Sequence, residues 1–171
     1  MKRPKVAFFD LNHTVHQMKG VTAEEITNYL KQIHSYWTPL ELPEHWKTLP
    51  VWNDVPGALD QLWFWDIKCV TLSNNPINVQ VEQAHNGRLH WDWMVPLESY
   101  HTYKPDVKAY NVACNLLKVA PEDSLMVTAN HDFGDIEGAA SIGMPSVWID
   151  RKNEDDTYKI KNLMDLVKEM E

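Results

Sequence analysis

Only two cysteines, Cys69 and Cys114, occur in 171 residues. That is too few for a disulfide framework, and one falls in an expected strand and the other in an expected helix. Both read as core thiols of a reducing compartment. There is also no apolar run long enough to form a membrane helix. The apolar stretch after Met1-Lys2-Arg3-Pro4-Lys5 is too short for a signal peptide, so the expectation is a cytoplasmic chain with no membrane partner. Positive charge is scarce, since 16 Lys and Arg against 24 Asp and Glu leave a net charge of −8. A general nucleic-acid binder needs a basic face to collect phosphates, and this composition disfavours one. The 8 tryptophans do not alternate with Lys or Arg; Trp63, Trp65, Trp91 and Trp93 read as packing residues. No internal repeat or low-complexity tract appears, and the length suits one domain with a real core.

What is present is an apolar run that stops abruptly at a carboxylate. Val6-Ala7-Phe8-Phe9 leads into Asp10, with Thr14 four positions on. Such a run reads as a buried strand, and open α/β sheets place their chemistry in the crevice beyond the carboxyl ends of such strands. Three later stretches add to it. Ile67-Lys68-Cys69-Val70-Thr71-Leu72 ends in Ser73-Asn74-Asn75-Pro76; Tyr103-Lys104-Pro105-Asp106 puts a lysine where a helix begins; Ser124 to Ala129 runs into Asn130-His131-Asp132-Phe133-Gly134-Asp135. Strands are expected near 5–10, 67–73, 93–97, 124–129 and 145–149, and helices over Val55 to Trp65, Asp106 to Leu117, Asp135 to Ser141 and Tyr158 to Met170. The alternation predicts a parallel sheet with helices on both faces.

Nucleophile, hydroxyl, lysine and acidic loop in this order resemble the haloacid dehalogenase-like (HAD) hydrolase superfamily. The resemblance covers residues 5–14 and about 52–150. It implies an α/β, Rossmann-like three-layer αβα core with a five-stranded parallel sheet and strand 1 central, formed by residues 1–14 and 52–171. Residues 15–51 are then a reduced helical cap, in which Thr22-Ala23-Glu24-Glu25 looks like a capping box ahead of Ile26, Tyr29, Leu30 and Ile33 at helical spacing. Trp37, Trp46 and Trp52 are expected mainly to bury the cap's own small core.

By resemblance, Asp10 attacks the substrate to form a covalent aspartyl intermediate. Thr14 supports it, Ser73, Asn74 and the amides beyond Ser73 meet the substrate, and Lys104 offsets the negative charge gathered there. Asp10, the Asn12 carbonyl and Asp135 supply three oxygens for Mg²⁺, in a site weakened because Asn130 stands where phosphatases of the family carry an acid. Asp132 is a substitute ligand if the loop is reshaped. Asn12 is the sharper departure, because an aspartate there usually shuttles the leaving-group proton, help worth about 10²–10⁴-fold. His13, replacing the usual glycine, is a candidate stand-in.

The same departures point toward the dehalogenase branch, which needs no such acid because a halide leaves unprotonated. Thr128-Ala129-Asn130, Ser73-Asn74 and Trp148-Ile149-Asp150-Arg151 agree with that branch. Residues 15–51, however, contain no arginine for a halide cradle, no tyrosine stands at position 12, and Asp135 lies five beyond Asn130 rather than three. The leading expectation is a Mg²⁺-assisted phosphatase acting on a small, anionic substrate. The alternatives are a metal-free 2-haloacid dehalogenase and a catalytically impaired binding protein.

Overall fold

The computed structural model describes residues 1–171. Five parallel strands, β1 (Val6–Phe9), β2 (Lys68–Thr71), β3 (Trp93–Met94), β4 (Ser124–Thr128) and β5 (Ser146–Trp148), form one sheet in the order β3-β2-β1-β4-β5. β1 is central, paired from Val6 to Phe9 with Lys68 to Thr71 on one side and Ser124 to Val127 on the other. The helices are α1 (Ala23–His34), α2 (Val55–Phe64), α3 (Ile77–Gly87), α4 (Val107–Leu117), α5 (Asp135–Ala140) and α6 (Leu163–Met170).

β1 is short, yet all four residues are buried, and the two-residue side-chain period divides them between two cores. Ala7 and Phe9 pack with α2 and α6 through Leu59, Leu62, Leu166 and Val167. Val6 and Phe8 pack on the other face with Ala109, Tyr110 and Ala113 of α4. Burying each phenylalanine contributes roughly 1.5–3 kcal/mol, which anchors the strand that carries Asp10. The Rossmann-like αβα architecture and the central strand agree with expectation.

Some elements differ from their sequence reading. α3 was not anticipated, because its buried residues include Gln80 and Gln83 beside Val79 and Ala84, which blurs the apolar stripe. β3 spans only Trp93–Met94, pairing with Val70 and Thr71; Pro96 follows closely and cannot donate to a ladder. The last helix starts at Leu163, not Tyr158, because Asn162 caps it by accepting from the Asp165 amide at 2.9 Å.

Between β1 and α2 the chain forms α1 and a 3₁₀ turn, Glu44–Thr48. The capping box of α1 is present, with Thr22 accepting from the Glu25 amide and Glu25 reaching back to Thr22. Trp46 is fully buried, whereas Trp37 is half exposed and Trp52 leaves the segment to bond His13. A small cluster of Ile33, Leu40 and Tyr103 joins the segment to the core. No helix is long and apolar enough to cross a membrane.

Candidate active site

Asp10 leaves the end of β1 and points into a cavity of about 410 Å³, covered by α1 and floored by the loops after β1, β2 and β4. Its carboxylate is tightly held. Lys104 Nζ donates to Oδ1 at 2.9 Å, while Oδ2 accepts from Thr14 Oγ1 at 2.8 Å and from Asn130 Nδ2 at 2.5 Å. Thr14 Oγ1 also accepts from the Ala129 amide at 2.8 Å, so one hydroxyl fixes Asp10 and ties the β1 loop to the end of β4.

Lys104 bridges two carboxylates, reaching Asp135 Oδ2 at 3.0 Å as well. Burial alone would lower its pKa, but Asp10 and Asp135 outweigh that and raise it, so the ammonium stays charged. Asn74 brackets the lysine, its side chain bonding the Lys104 amide at 2.7 Å and the Lys104 carbonyl at 3.1 Å. Asp135 opens α5 with Thr128 Oγ1 donating to its Oδ2 at 2.8 Å, and burial raises its pKa. The start of α5 is fixed by Tyr110, whose hydroxyl donates to the Asp135 carbonyl. A Cβ at Gly138 would lie 2.4 Å from the Tyr110 ring, so only glycine permits that approach.

Of the residues singled out from sequence, Asp10, Asn12, Asn74, Lys104, Asn130 and Asp135 line one cavity. Thr14 sits behind Asp10. Ser73 does not line the cavity; its hydroxyl accepts from the Asn75 amide at 3.1 Å and shapes the turn. Asn12 does not stand ready as a proton donor, because its amide pairs with Asn75, donating at 3.2 Å and accepting at 2.9 Å. Asn75 in turn donates to Gln83, and Gln83 donates to the Trp46 carbonyl at 3.0 Å. The pairing along this amide chain from the β1 loop to the cap was invisible in sequence, since Asn75 and Gln83 are uncharged and nothing in their spacing links them to Asn12.

His13 lines the cavity in a left-handed conformation, φ 68°, which explains why glycine suits this position. Its pKa is lowered by burial, then by Lys152 and Arg151, so the ring is neutral at pH 7. Its backbone is pinned through the Trp52 indole, which donates to the His13 carbonyl at 2.9 Å. Arg151, unassigned from sequence beyond its place after β5, donates twice to the Thr14 carbonyl and pairs with Asp54 at 2.7 Å, clamping the same loop from outside. Asp132, the possible substitute ligand, makes its contact with His131 at 3.3 Å in the loop after β4.

The expected Mg²⁺ set can be tested on its donors. Asn130 Nδ2 donates to Asp10 Oδ2 at 2.5 Å and to the Asn12 carbonyl at 2.6 Å. These are the two oxygens a cation would share, and an N–H group holds both. No group of three or more His, Cys, Asp and Glu side chains is placed to hold a metal, and as it stands the set does not fit a hard cation.

No protein-family model matches the chain. It is 30% identical over 105 residues to the (S)-2-haloacid dehalogenase of Pseudomonas sp. (strain YL), covering 60% of this chain and 44% of that protein. It is 26% identical over 139 residues to the (S)-2-haloacid dehalogenase of Pseudomonas fluorescens, covering 75% and 60%. The chain thus spans about half the length of these curated relatives. Among solved structures, a dehalogenase described with its intermediate complex superposes with a TM-score of 0.86 at 19% identity over 99% of this chain and 98% of that one. An HAD phosphatase from Thermococcus onnurineus superposes with a TM-score of 0.67 at 20% identity over 99% and 98%; at such identities these likenesses concern the fold. The sequence relatives and the ordered motifs around Asp10, on a fold shared with these structures, support membership of the haloacid dehalogenase-like superfamily.

Proposed function

We propose that this chain is a hydrolase in which Asp10 displaces halide from a small 2-halo acid without a metal. This replaces the leading phosphatase expectation, because the curated relatives quoted above are (S)-2-haloacid dehalogenases. The observation that carries the reading is the Asn130 amide bridging Asp10 Oδ2 and the Asn12 carbonyl. It supplies hydrogen-bond donors where a phosphatase of this family would need a cation. The engagement of Asn12 with Asn75 is a second support, since halide departure needs no proton donor.

Of the two Asp10 oxygens, Oδ2 has both acceptor positions filled by Thr14 and Asn130, whereas Oδ1 meets only Lys104. Oδ1 therefore attacks the halogen-bearing carbon, forming a C–O bond as the carbon–halogen bond breaks and the halide leaves with the bonding pair. Water then adds to Cγ of the resulting ester. Asp135 accepts no hydrogen bond on Oδ1, and burial makes its carboxylate more basic, so it takes the proton of that water. Lys104 steadies the negative charge on the Asp10 oxygens. Cleavage of the Cγ–O bond regenerates Asp10 and frees a 2-hydroxy acid, with net release of one halide and one proton. Lys152 at the cavity edge, 3.9 Å from Glu154, is loosely enough paired to meet the substrate carboxylate.

The test is halide release from 2-chloropropionate and 2-bromopropionate with chelator or Mg²⁺, beside phosphate release from a panel of esters. Halide release that is indifferent to the chelator and absent in Asp10→Asn is expected. Mg²⁺-dependent phosphate release without halide release would overturn the reading in favour of a phosphatase. No turnover of either class would leave a binding protein.

A further inference from the structure

The wall facing the nucleophile comes from α1. Ile26, Tyr29, Leu30 and Ile33 recur at the spacing of one helix face, and all four line the cavity. Three are aliphatic. The polar groups on this wall are the Tyr29 hydroxyl and the imidazole of His34, and His34 is exposed at the helix end, where water competes for it.

Tyr29 is set in place from behind. Its ring packs against Trp46 at 5.5 Å between centroids, tilted by 48°, and Trp46 is itself buried and held by donation from its indole to Glu25 at 3.0 Å. No protein group hydrogen-bonds the Tyr29 hydroxyl, which lies within the field of Asp10, Lys104 and Asp135. Burial and the two carboxylates raise its pKa, so it keeps its proton and can only be recruited as a neutral donor or acceptor. Tyr29 is half-buried, and with no protein partner for its hydroxyl the cavity it lines is the place for one.

The charges around it say what that partner is. Asp10, Asp135 and Lys104 sum to one negative charge, and the lysine is already engaged by both carboxylates at 2.9 and 3.0 Å. No Lys or Arg of residues 15–51 lines the cavity, so an anion released on the cap side meets no lysine or arginine from the cap. We infer that the Tyr29 hydroxyl is the donor that receives the departing halide, with Ile26, Leu30 and Ile33 giving it an apolar, polarisable bed. This rests on the dehalogenase reading above. As the C–O bond to Asp10 forms and the carbon–halogen bond breaks, Tyr29 donates a hydrogen bond to the halide and retains its proton, so no proton transfer is required. Such a donor, strengthening as charge develops, accelerates the step itself.

The experiment compares wild type and Tyr29→Phe on 2-chloropropionate and 2-bromopropionate, with bromide as a product inhibitor and a thermal melt of each protein. Phenylalanine preserves the contact with Trp46, so the melts are expected to agree. The kcat on the chloro acid should fall roughly 10- to 100-fold, somewhat below the loss for a full oxyanion donor. The bromo acid, whose leaving group needs less help, should lose less, and inhibition by bromide should weaken. An equal loss on both acids, or no loss, would overturn the role of Tyr29 while leaving dehalogenation intact. A wild type that releases no halide would overturn both. Should Tyr29→Phe melt early, the unequal loss in Tyr29→Met, together with its bromide inhibition, decides the same point.

Discussion

On the core side of the cavity, Asp10, Thr14, Lys104, Thr128, Asn130 and Asp135 exchange hydrogen bonds of 2.5–3.0 Å. On the α1 side, Ile26, Leu30 and Ile33 offer none, and Tyr29 holds its hydroxyl unpaired. On the proposed function, the difference separates two tasks. Groups that must act at a fixed place are immobilised by neighbours before substrate arrives, because reorganising them during the reaction would raise the barrier. On the proposed reading the cap wall excludes water and receives what leaves through its shape, its polarisability and the one Tyr29 hydroxyl.

If that division is right, substitutions on the core side should be severe and indifferent to the leaving group. Lys104→Met leaves two buried carboxylates facing each other without their cation. A loss of roughly 3–5 kcal/mol is expected at pH 7, measured by denaturant unfolding, together with loss of turnover. Without the lysine, one carboxylate's folded pKa rises above its unfolded value. The variant therefore binds more protons when folded, and its deficit should narrow as pH falls toward 4. A deficit unchanged with pH would count against the charge argument.

The joint between the two sides makes a separate prediction. His16 is buried, its Nδ1 is 3.3 Å from the Leu49 carbonyl, and burial lowers its pKa to about 4. A folded pKa below the unfolded 6.5 means that the unfolded chain binds the proton first. Stability should be intact above pH 6.5 and decline as pH falls through the window down to about 4, by up to about 3 kcal/mol. His16→Leu should flatten that limb of the stability profile; an identical slope in the variant would show that other groups govern it.

Asn130→Asp turns the bridging donor into a third carboxylate. Metal-free halide release should fall about 100-fold, as for loss of one preorganised donor. Mg²⁺ should then raise the variant's melting midpoint, since a ligand bound only by the folded state stabilises it. An equal rise in wild type would contradict the reading of Asn130. The smallest effect on the core side belongs to Thr14→Val, which orphans the Ala129 amide and removes one bond to Asp10. A cost of about 1–3 kcal/mol is expected by thermal or chemical denaturation.

The strands and Asp10, Thr14, Lys104, Asn130 and Asp135 were legible because their signals are local: an apolar run ending in a polar residue, or a fixed spacing. Asn12 was legible as a departure, but its partner was not. The Asn12–Asn75–Gln83 chain spans three segments distant in sequence, and neutral amides carry no pattern that announces pairing. Gln80 and Gln83 also concealed α3, since buried amides read as exposed positions until their partners are known. Tyr29 was visible only as part of an amphipathic face, because a tyrosine at helical spacing is most often core. Its place in the site depends on how the cap folds over Asp10, which no local signal encodes. The phosphatase expectation treats the charge of Asp135 as free for a metal, whereas Lys104 already pairs with it, and the sequence carries no sign of that pairing.

The decisive measurement is repeated turnover of a 2-halo acid in heavy-oxygen water with chelator present, followed by mass analysis of the peptide containing Asp10. Attack by Asp10 followed by water addition at Cγ predicts heavy oxygen accumulating in the Asp10 carboxylate. Turnover that labels only the product would mean that water attacks the substrate directly and that Asp10 is not the nucleophile.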